Sequence, residues 1–246
     1  MKIILLLIFM ITLSEAIITV KPMAIGKKPG VSGKIEGSLQ TKRGNTQKDE
    51  YSLGLKFQYD NNSTYTTFLN VIGVYGKANG VRNTNKTYGH ARFIHILYGN
   101  TDYELYLQSE MNEFTSIDKR RLGGGGVRYH LERDDWGDLF FGIGVYYEGI
   151  TYTTEKDPNE RNTRLNSYIA YVVDITKNTS FSYVGYYQPK VDDIRDFITS
   201  NAIELKINIY KQLNLKLRVF YDYDAAPAVD RKKTDFTQIT SFSYDF

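Results

Sequence analysis

Ile203-Glu204-Leu205-Lys206-Ile207-Asn208-Ile209, then Tyr210-Lys211-Gln212, then Leu213-Asn214-Leu215-Lys216-Leu217-Arg218-Val219, closing with Tyr221 and Tyr223: this stretch decides the fold. Apolar and polar residues alternate on both sides of the short middle segment. A repeat of two belongs to β-strands and not to a helix. The stretch therefore reads as a hairpin. One face is branched aliphatic and ends in tyrosines; the other carries Glu204, Lys206, Lys216 and Arg218. Alternation alone does not say which face turns inward. The remainder of the chain must decide.

The amino terminus reads as an address. Met1-Lys2 is a positive start, residues 3–13 are apolar and Ser14-Glu15-Ala16 is a small-x-small cleavage site, so residues 1–16 are expected to be a cleaved signal peptide. The apolar run is about half the roughly 20 residues that a helical span needs. No later run is long enough either, so a membrane would have to be crossed by strands. Residues 17–30 read as a short periplasmic lead-in, too short to plug anything. Residues 31–246 read as one domain.

Twelve strands are expected, at about 31–43, 47–60, 64–76, 86–98, 102–114, 119–131, 138–152, 163–174, 180–188, 203–209, 213–223 and 234–246. The facing of the fourth is left open, because both of its rows are mixed. Segments 77–85, 153–162, 189–196 and 224–233 read as long loops, and most connections at the other end are short turns. The five prolines (Pro22, Pro29, Pro158, Pro189 and Pro227) fall outside every expected strand, as they should, since proline cannot donate to a ladder. Cysteine is absent, which excludes disulfides and thiolate metal sites. A net charge of +3 with dispersed charges gives no sign of a nucleic-acid partner.

Four features turn the apolar face outward. Connections alternate between short and long, as in bacterial outer-membrane barrels, which also have even strand numbers. The strands are long enough for a tilted crossing of about 9–11 residues. Tyrosines sit near the ends of the apolar rows, for example Tyr51 and Tyr59, where a ring with a polar tip suits the headgroup level. A twelve-stranded barrel lined with aliphatic residues would enclose a wide apolar hole, since about eight strands already make a barrel that side chains just fill. The fold class expected is an all-β, transmembrane, antiparallel up-and-down β-barrel in the outer membrane of a Gram-negative bacterium.

Several motifs carry a family resemblance. They are Gly44-Asn45-Thr46, Ile117-Asp118-Lys119-Arg120-Arg121-Leu122-Gly123-Gly124-Gly125-Gly126, Phe141-Gly142-Ile143-Gly144-Val145-Tyr146, and Thr234-Asp235 ahead of Ser243-Tyr244-Asp245-Phe246. With them the chain resembles the salt-induced outer-membrane protein family (YdiY-like), long labelled a domain of unknown function. The resemblance implies a location and assigns no activity to any residue. Phe242, Tyr244 and Phe246, at a period of two, also resemble the signal read by the barrel assembly machinery.

With the apolar rows outside, the lumen receives eight basic groups, Lys34, Lys56, Arg92, Arg128, Arg164, Lys206, Lys216 and Arg218. It also receives six acidic ones, Glu36, Glu104, Glu110, Glu148, Glu204 and Asp222. So balanced a set fits either a narrow, weakly anion-favouring pore for small solutes or ions, or a lumen closed by ion pairs. No histidine among His90, His95 and His130 has a serine two residues on, and none is spaced as a metal ligand, so neither an enzyme nor a cofactor is expected. The glycine run 123–126 lacks the Lys-Ser/Thr of a phosphate loop and reads instead as room for curvature or for large neighbours. Lipid and lipopolysaccharide are the expected outer partners. The alternative function is a structural or binding envelope barrel that works through its outer loops.

Overall fold

The computed structural model describes residues 23–42, 48–113, 117–133, 136–153, 156–229 and 231–246. The expected signal peptide, residues 1–16, and the first part of the lead-in lie outside the described residues. Strands are β1 (Gly30–Lys42), β2 (Lys48–Asp60), β3 (Tyr65–Ala78), β4 (Val81–Tyr98), β5 (Thr101–Asn112) and β6 (Ile117–Arg133). They continue as β7 (Gly137–Tyr152), β8 (Glu160–Thr176), β9 (Thr179–Pro189), β10 (Phe197–Tyr210), β11 (Leu213–Asp224) and β12 (Thr234–Asp245). Each pairs antiparallel with the next, and β12 pairs with β1 to close a barrel. The end that carries Gly30 and Asp245 is called the near end; the opposite end is the far end.

The apolar rows face out. In the hairpin quoted above, Ile203, Ile209, Leu213 and Leu217 are exposed, whereas Lys216 on the opposite row is buried. The same alternation runs round the barrel, through Leu53 and Phe57 on β2, Leu105 and Leu107 on β5, and Ile143 and Val145 on β7. Rings from successive strands close the belt at both ends. At the near end Tyr59, Tyr65, Phe93 and Tyr103 follow one another at centroid separations of 5.9, 5.6 and 6.1 Å. At the far end Tyr187, Phe197 and Tyr223 do so at 5.5 and 5.6 Å. An apolar band edged by aromatic girdles marks a barrel that sits in lipid.

Strand β4 resolves its own ambiguity. Tyr88, His90, Arg92 and Ile94 are buried on the inward row. Its mixed pattern arises because bulky and apolar side chains share the lumen with charges.

Three expectations need correction. Segment 77–85 is not a long loop: β3 and β4 are joined by Asn79 and Gly80 at φ of 49° and 80°, the left-handed pair of a tight hairpin turn. The Gly/Asn richness that suggested a loop is that turn plus polar inward positions. Strand β10 begins at Phe197, six residues before the quoted stretch, because Ser200 and Asn201 interrupt the aliphatic pattern without breaking the ladder. Pro189 ends β9 instead of lying beyond it.

The glycine run has a packing reason. Gly126 and Gly144 face each other across β6 and β7. A Cβ on Gly126 would lie 2.3 Å from the Ile143 carbonyl oxygen, and one on Gly124 would lie 2.4 Å from that of Val145. Gly142 lies under the Tyr168 ring, which a Cβ would meet at 2.1 Å. Gly126→Ala should therefore force backbone apart and lower unfolding free energy in detergent by about 1–3 kcal/mol. Gly73→Ala, with open space around its Cβ, should stay within about 0.5 kcal/mol of the parent in the same urea titration.

Candidate functional site in the barrel lumen

All fourteen charged residues singled out from the sequence lie on the row opposite the exposed apolar belt, but the lumen does not treat them alike. It divides into two halves.

The half walled by β4–β9 is packed solid. Glu148, fully buried, is gripped by Arg120 at 2.6 Å and Arg164 at 2.8 Å. Arg164 reaches on to Asp196 at 2.9 Å. Arg92 meets Glu104 at 3.3 Å, Arg128 meets Asp102 at 2.8 Å, and Lys86 meets Glu110 at 3.2 Å. Rings fill the space between these pairs. The Tyr168 hydroxyl donates to Glu104 at 3.2 Å, and the Asn166 amide donates to the Tyr106 hydroxyl at 3.0 Å. His90 stacks among Phe68, Tyr88 and Tyr106 at 5.9–6.3 Å. The Arg128 guanidinium lies 5.1 Å from the Phe140 ring centre.

Sequence reasoning missed part of this half. Arg120, Lys86 and Asp102 share a row with Arg128, Arg92 and Glu104 respectively, so counting along the rows by twos would have found them. The inward tyrosines Tyr88, Tyr106, Tyr146, Tyr168 and Tyr186 are buried. The tyrosine-rich composition thus serves the lumen as well as the girdles.

The half walled by β10, β11, β12, β1 and β2 is partly accessible to water at its ion pairs, although Lys216 is buried. Side chains of Lys34, Lys206, Arg218 and Asp245 are 19–26 % exposed, against 0–7 % for the paired groups of the packed half just named, Asp196 and Lys86 apart. Asp245 joins Lys206 at 2.6 Å and Lys34 at 3.9 Å. Lys216 joins Glu36 at 2.7 Å and Glu204 at 2.9 Å. Glu36 also receives Arg218. With Lys56 this wall gathers five basic groups around Glu36, Glu204 and Asp245, and its inward rows also carry Glu50, Asp60, Asp222, Asp224 and Asp235 toward the two rims. Asp222 is buried at the far end of β11, in register with Asp235 of β12.

The lead-in enters the barrel, contrary to the expectation that it was too short to plug it. Ala24 packs with Phe140, Tyr168, Ala170, Val184 and Tyr186. Met23 and Ile25 pack on Phe68 and Ile94. Arg128 donates to the Met23 carbonyl at 2.7 Å, the Lys56 ammonium lies 2.8 Å from the Met23 sulfur, and the Gly26 amide donates to Asp60 at 2.7 Å. A segment three residues wide suffices because the inward rings have already narrowed the hole. The plug touches both halves, Arg128 and Phe140 in the packed one and Lys56 and Asp60 of β2 in the other.

A family model described as "Protein of unknown function, DUF481" matches residues 35–246. The chain belongs to that family. No curated protein matches it by sequence. Among solved structures, an outer membrane channel from Pseudomonas putida F1 shares the fold, with a TM-score of 0.53 and 10 % identity over 93 % of this chain and 100 % of that one. The translocator domain of the autotransporter NalP from Neisseria meningitidis gives 0.49 at 8 % identity, covering 89 % of each chain. The NanC porin gives 0.48 at 15 % identity, covering 88 % of this chain and 98 % of that one.

In this DUF481 chain the histidines are held as packing groups. His130 hydrogen bonds to Asp138 at 2.8 Å and stacks on Phe140 at 4.3 Å. His95 faces out beside Tyr65 and Tyr103. Among the described residues, no group of three His, Cys, Asp or Glu is placed to hold a metal. Asp224 accepts from the Ala226 amide at 2.9 Å, as a turn residue does. Phe242, Tyr244 and Phe246 all face out and are about half exposed.

Glu148 is the keystone of the packed half. Glu148→Gln would leave Arg120 and Arg164 facing each other without their shared anion, and should cost about 3–5 kcal/mol. The check is a fall in the urea midpoint of the detergent-folded barrel, with a smaller fall for Glu113→Gln on the exposed rim.

Proposed function

We propose that this chain is a non-enzymatic outer-membrane barrel that passes small anions along the water-accessible wall of its lumen. The observation that carries the reading is the split lumen: the ion pairs of the β4–β9 half are buried, while the other half keeps partly exposed side chains, with Lys34, Lys56, Lys206, Lys216 and Arg218 gathered in its near and middle part. Fixed positive charge with partial pairing favours anions weakly without trapping them. The lead-in narrows the mouth at the near end, which the export reading places in the periplasm. Export by the cleaved signal, recognition of Phe242, Tyr244 and Phe246 by the assembly machinery, contact with lipid and lipopolysaccharide, and the salt-stress link implied by the resemblance complete this reading.

Planar bilayers test it. The parent should give small discrete conductance steps with a reversal potential that favours chloride over potassium. Lys34→Glu with Lys206→Glu should move the preference toward cations. Ala24→Arg, too large for its seat, should release the lead-in and enlarge the step. Bilayers that stay silent with the parent and with Ala24→Arg alike would sink the channel reading.

One observation favours a second reading, an envelope barrel that acts through its outer loops. The connections after β7 and β11 touch at the far mouth, where the Val229 amide donates to Asp157 at 2.9 Å. Deleting residues 154–161 and 226–232 together should abolish growth protection under salt stress while the barrel still folds. Unchanged growth would remove this role.

A further inference from the structure

The stretch Lys119-Arg120-Arg121 sets three cations in a row, and the repeat of two parts them. Arg120 turns inward to Glu148. Lys119 and Arg121 turn outward and are exposed. The ladder then fixes what lies beside them. Arg121 is in register with Gly149 of β7, and Gly149 with Arg161 of β8, which is exposed as well. Lys119 is in register with Thr151, one outward step nearer the far rim. Two strand spacings, about 10 Å, thus separate the arginine backbones. A Cβ on Gly149 would meet nothing within 4 Å, so the space between them is open and both guanidinium groups can bend over it.

The height of this row follows from what lies beneath it. The outward row of β7 runs Phe141, Ile143, Val145 and Tyr147, all exposed, and its apolar part ends in that tyrosine. Leu165 of β8 and Leu107 of β5 continue the apolar surface. A tyrosine at the end of such a row marks the headgroup level. Gly149 is the next outward position after Tyr147, so Arg121 and Arg161 stand where lipid phosphates lie.

Other exposed arginines of the far rim carry their own anions: Arg82 pairs with Glu113 and Arg195 with Asp193. Among the described residues, no ion pair joins Lys119, Arg121 or Arg161 to a carboxylate. Asp118, exposed in the irregularity beside Lys119, is the acidic group nearest in sequence. Three cations less that one carboxylate leave a surplus of two. A zwitterionic headgroup brings no net charge and a phosphodiester a single negative one, whereas a phosphomonoester brings about −1.5 to −2. The surplus matches the monoester, and arginine forks grip its oxygens in pairs. At a bacterial surface the lipid that carries phosphomonoesters is the phosphorylated glycolipid of the outer leaflet.

We infer that the outward row Arg121–Gly149–Arg161, with Lys119 above it, is a seat for a phosphomonoester of lipopolysaccharide, with the phosphate over Gly149 and acyl chains along Tyr147, Val145 and Leu165. It rests on the export reading, which puts the far end at the cell surface, and gives the lipopolysaccharide contact proposed above a place on the barrel. Native mass spectrometry of the folded barrel in detergent, with lipid added, tests it. Lipid A should bind at least tenfold more tightly than phosphatidylglycerol, and lipid A stripped of its phosphates should lose that advantage. Arg121→Gln with Arg161→Gln should lower lipid A affinity at least tenfold. Lys232→Gln with Lys233→Gln, cations of the last far loop, should leave it within twofold. Gly149→Phe, which keeps every charge but fills the gap, should lower it at least fivefold. Equal affinity for lipid A and phosphatidylglycerol, or an equal loss from both double variants, would overturn the seat. Orientation is read separately. The chain has no cysteine, so a membrane-impermeant maleimide should label Lys232→Cys alone on intact cells. Labelling without the lipid A preference overturns the seat and leaves the export reading standing; absence of label overturns the outward placement of the far end, and lipopolysaccharide as the occupant with it.

Discussion

A sheet in lipid must pair its backbone with itself, because hydrocarbon offers no substitute for the missing hydrogen bonds. Closure into a ring is the response, and with twelve strands the ring encloses more space than backbone and small side chains fill. Everything inside this protein answers that excess. Alternation forces every second residue inward, so what the outside excludes the inside must house.

Two ways of housing it coexist. Across β4–β9, arginines and carboxylates are brought together at 2.6–3.3 Å and sealed by tyrosine rings. Removing charges from water is costly. Each is offset here by direct pairing, as where two arginines share Glu148, and by hydroxyl donors such as that of Tyr168 on Glu104. Gly142 makes room for the Tyr168 ring, whereas Gly124, Gly126 and Gly144 let the backbones of β6 and β7 approach closely. Across β10, β11, β12, β1 and β2, lysines replace arginines at most positions, rings are sparse, and the pairs, those of the buried Lys216 apart, keep partial exposure. A lysine on a flexible stem with a compact charge is suited to a hydrated wall, whereas the planar arginine fork suits a dry, bidentate one.

The strand count, the outward apolar face and the inward placement of the charges were legible because each rests on a repeat of two, which a one-residue slip would invert. The hairpin at 203–223 shows this most plainly: its two rows are chemically pure. Where rows are impure, the reading faltered. Strand β4 mixes His90, Arg92 and Ile94 inward with Ala91 and Phe93 outward, so its facing came only with its neighbours. The Asn79-Gly80 turn was absorbed into an apparent loop because the residues after it are polar on both rows, Thr84 turned inward and Arg82 and Asn85 reaching Glu113 at the exposed rim. The division of the lumen was hidden for a different reason. Which wall is dry depends on how side chains from strands far apart in sequence meet, as Asn166 meets Tyr106 and Tyr168 meets Glu104. The seat of Met23 and Ala24 depends on the same non-local packing.

Chain order accounts for which half is dry. The packed wall is built from strands consecutive in sequence, so most of its ion pairs, Arg92–Glu104 and Arg120–Glu148 among them, link neighbouring hairpins and can form before the ring shuts. The water-accessible wall joins the two ends of the chain. Its contacts between Lys34 and Asp245, and between Glu36 and Arg218, exist only after β1 has found β12. A dry, interlocked network there would demand that many buried charges meet their partners at one late step, and any missed pair would be stranded in a low dielectric. Keeping that wall hydrated removes the hazard. It also leaves the last ladder short, with Gly37–Phe242 as its final pair.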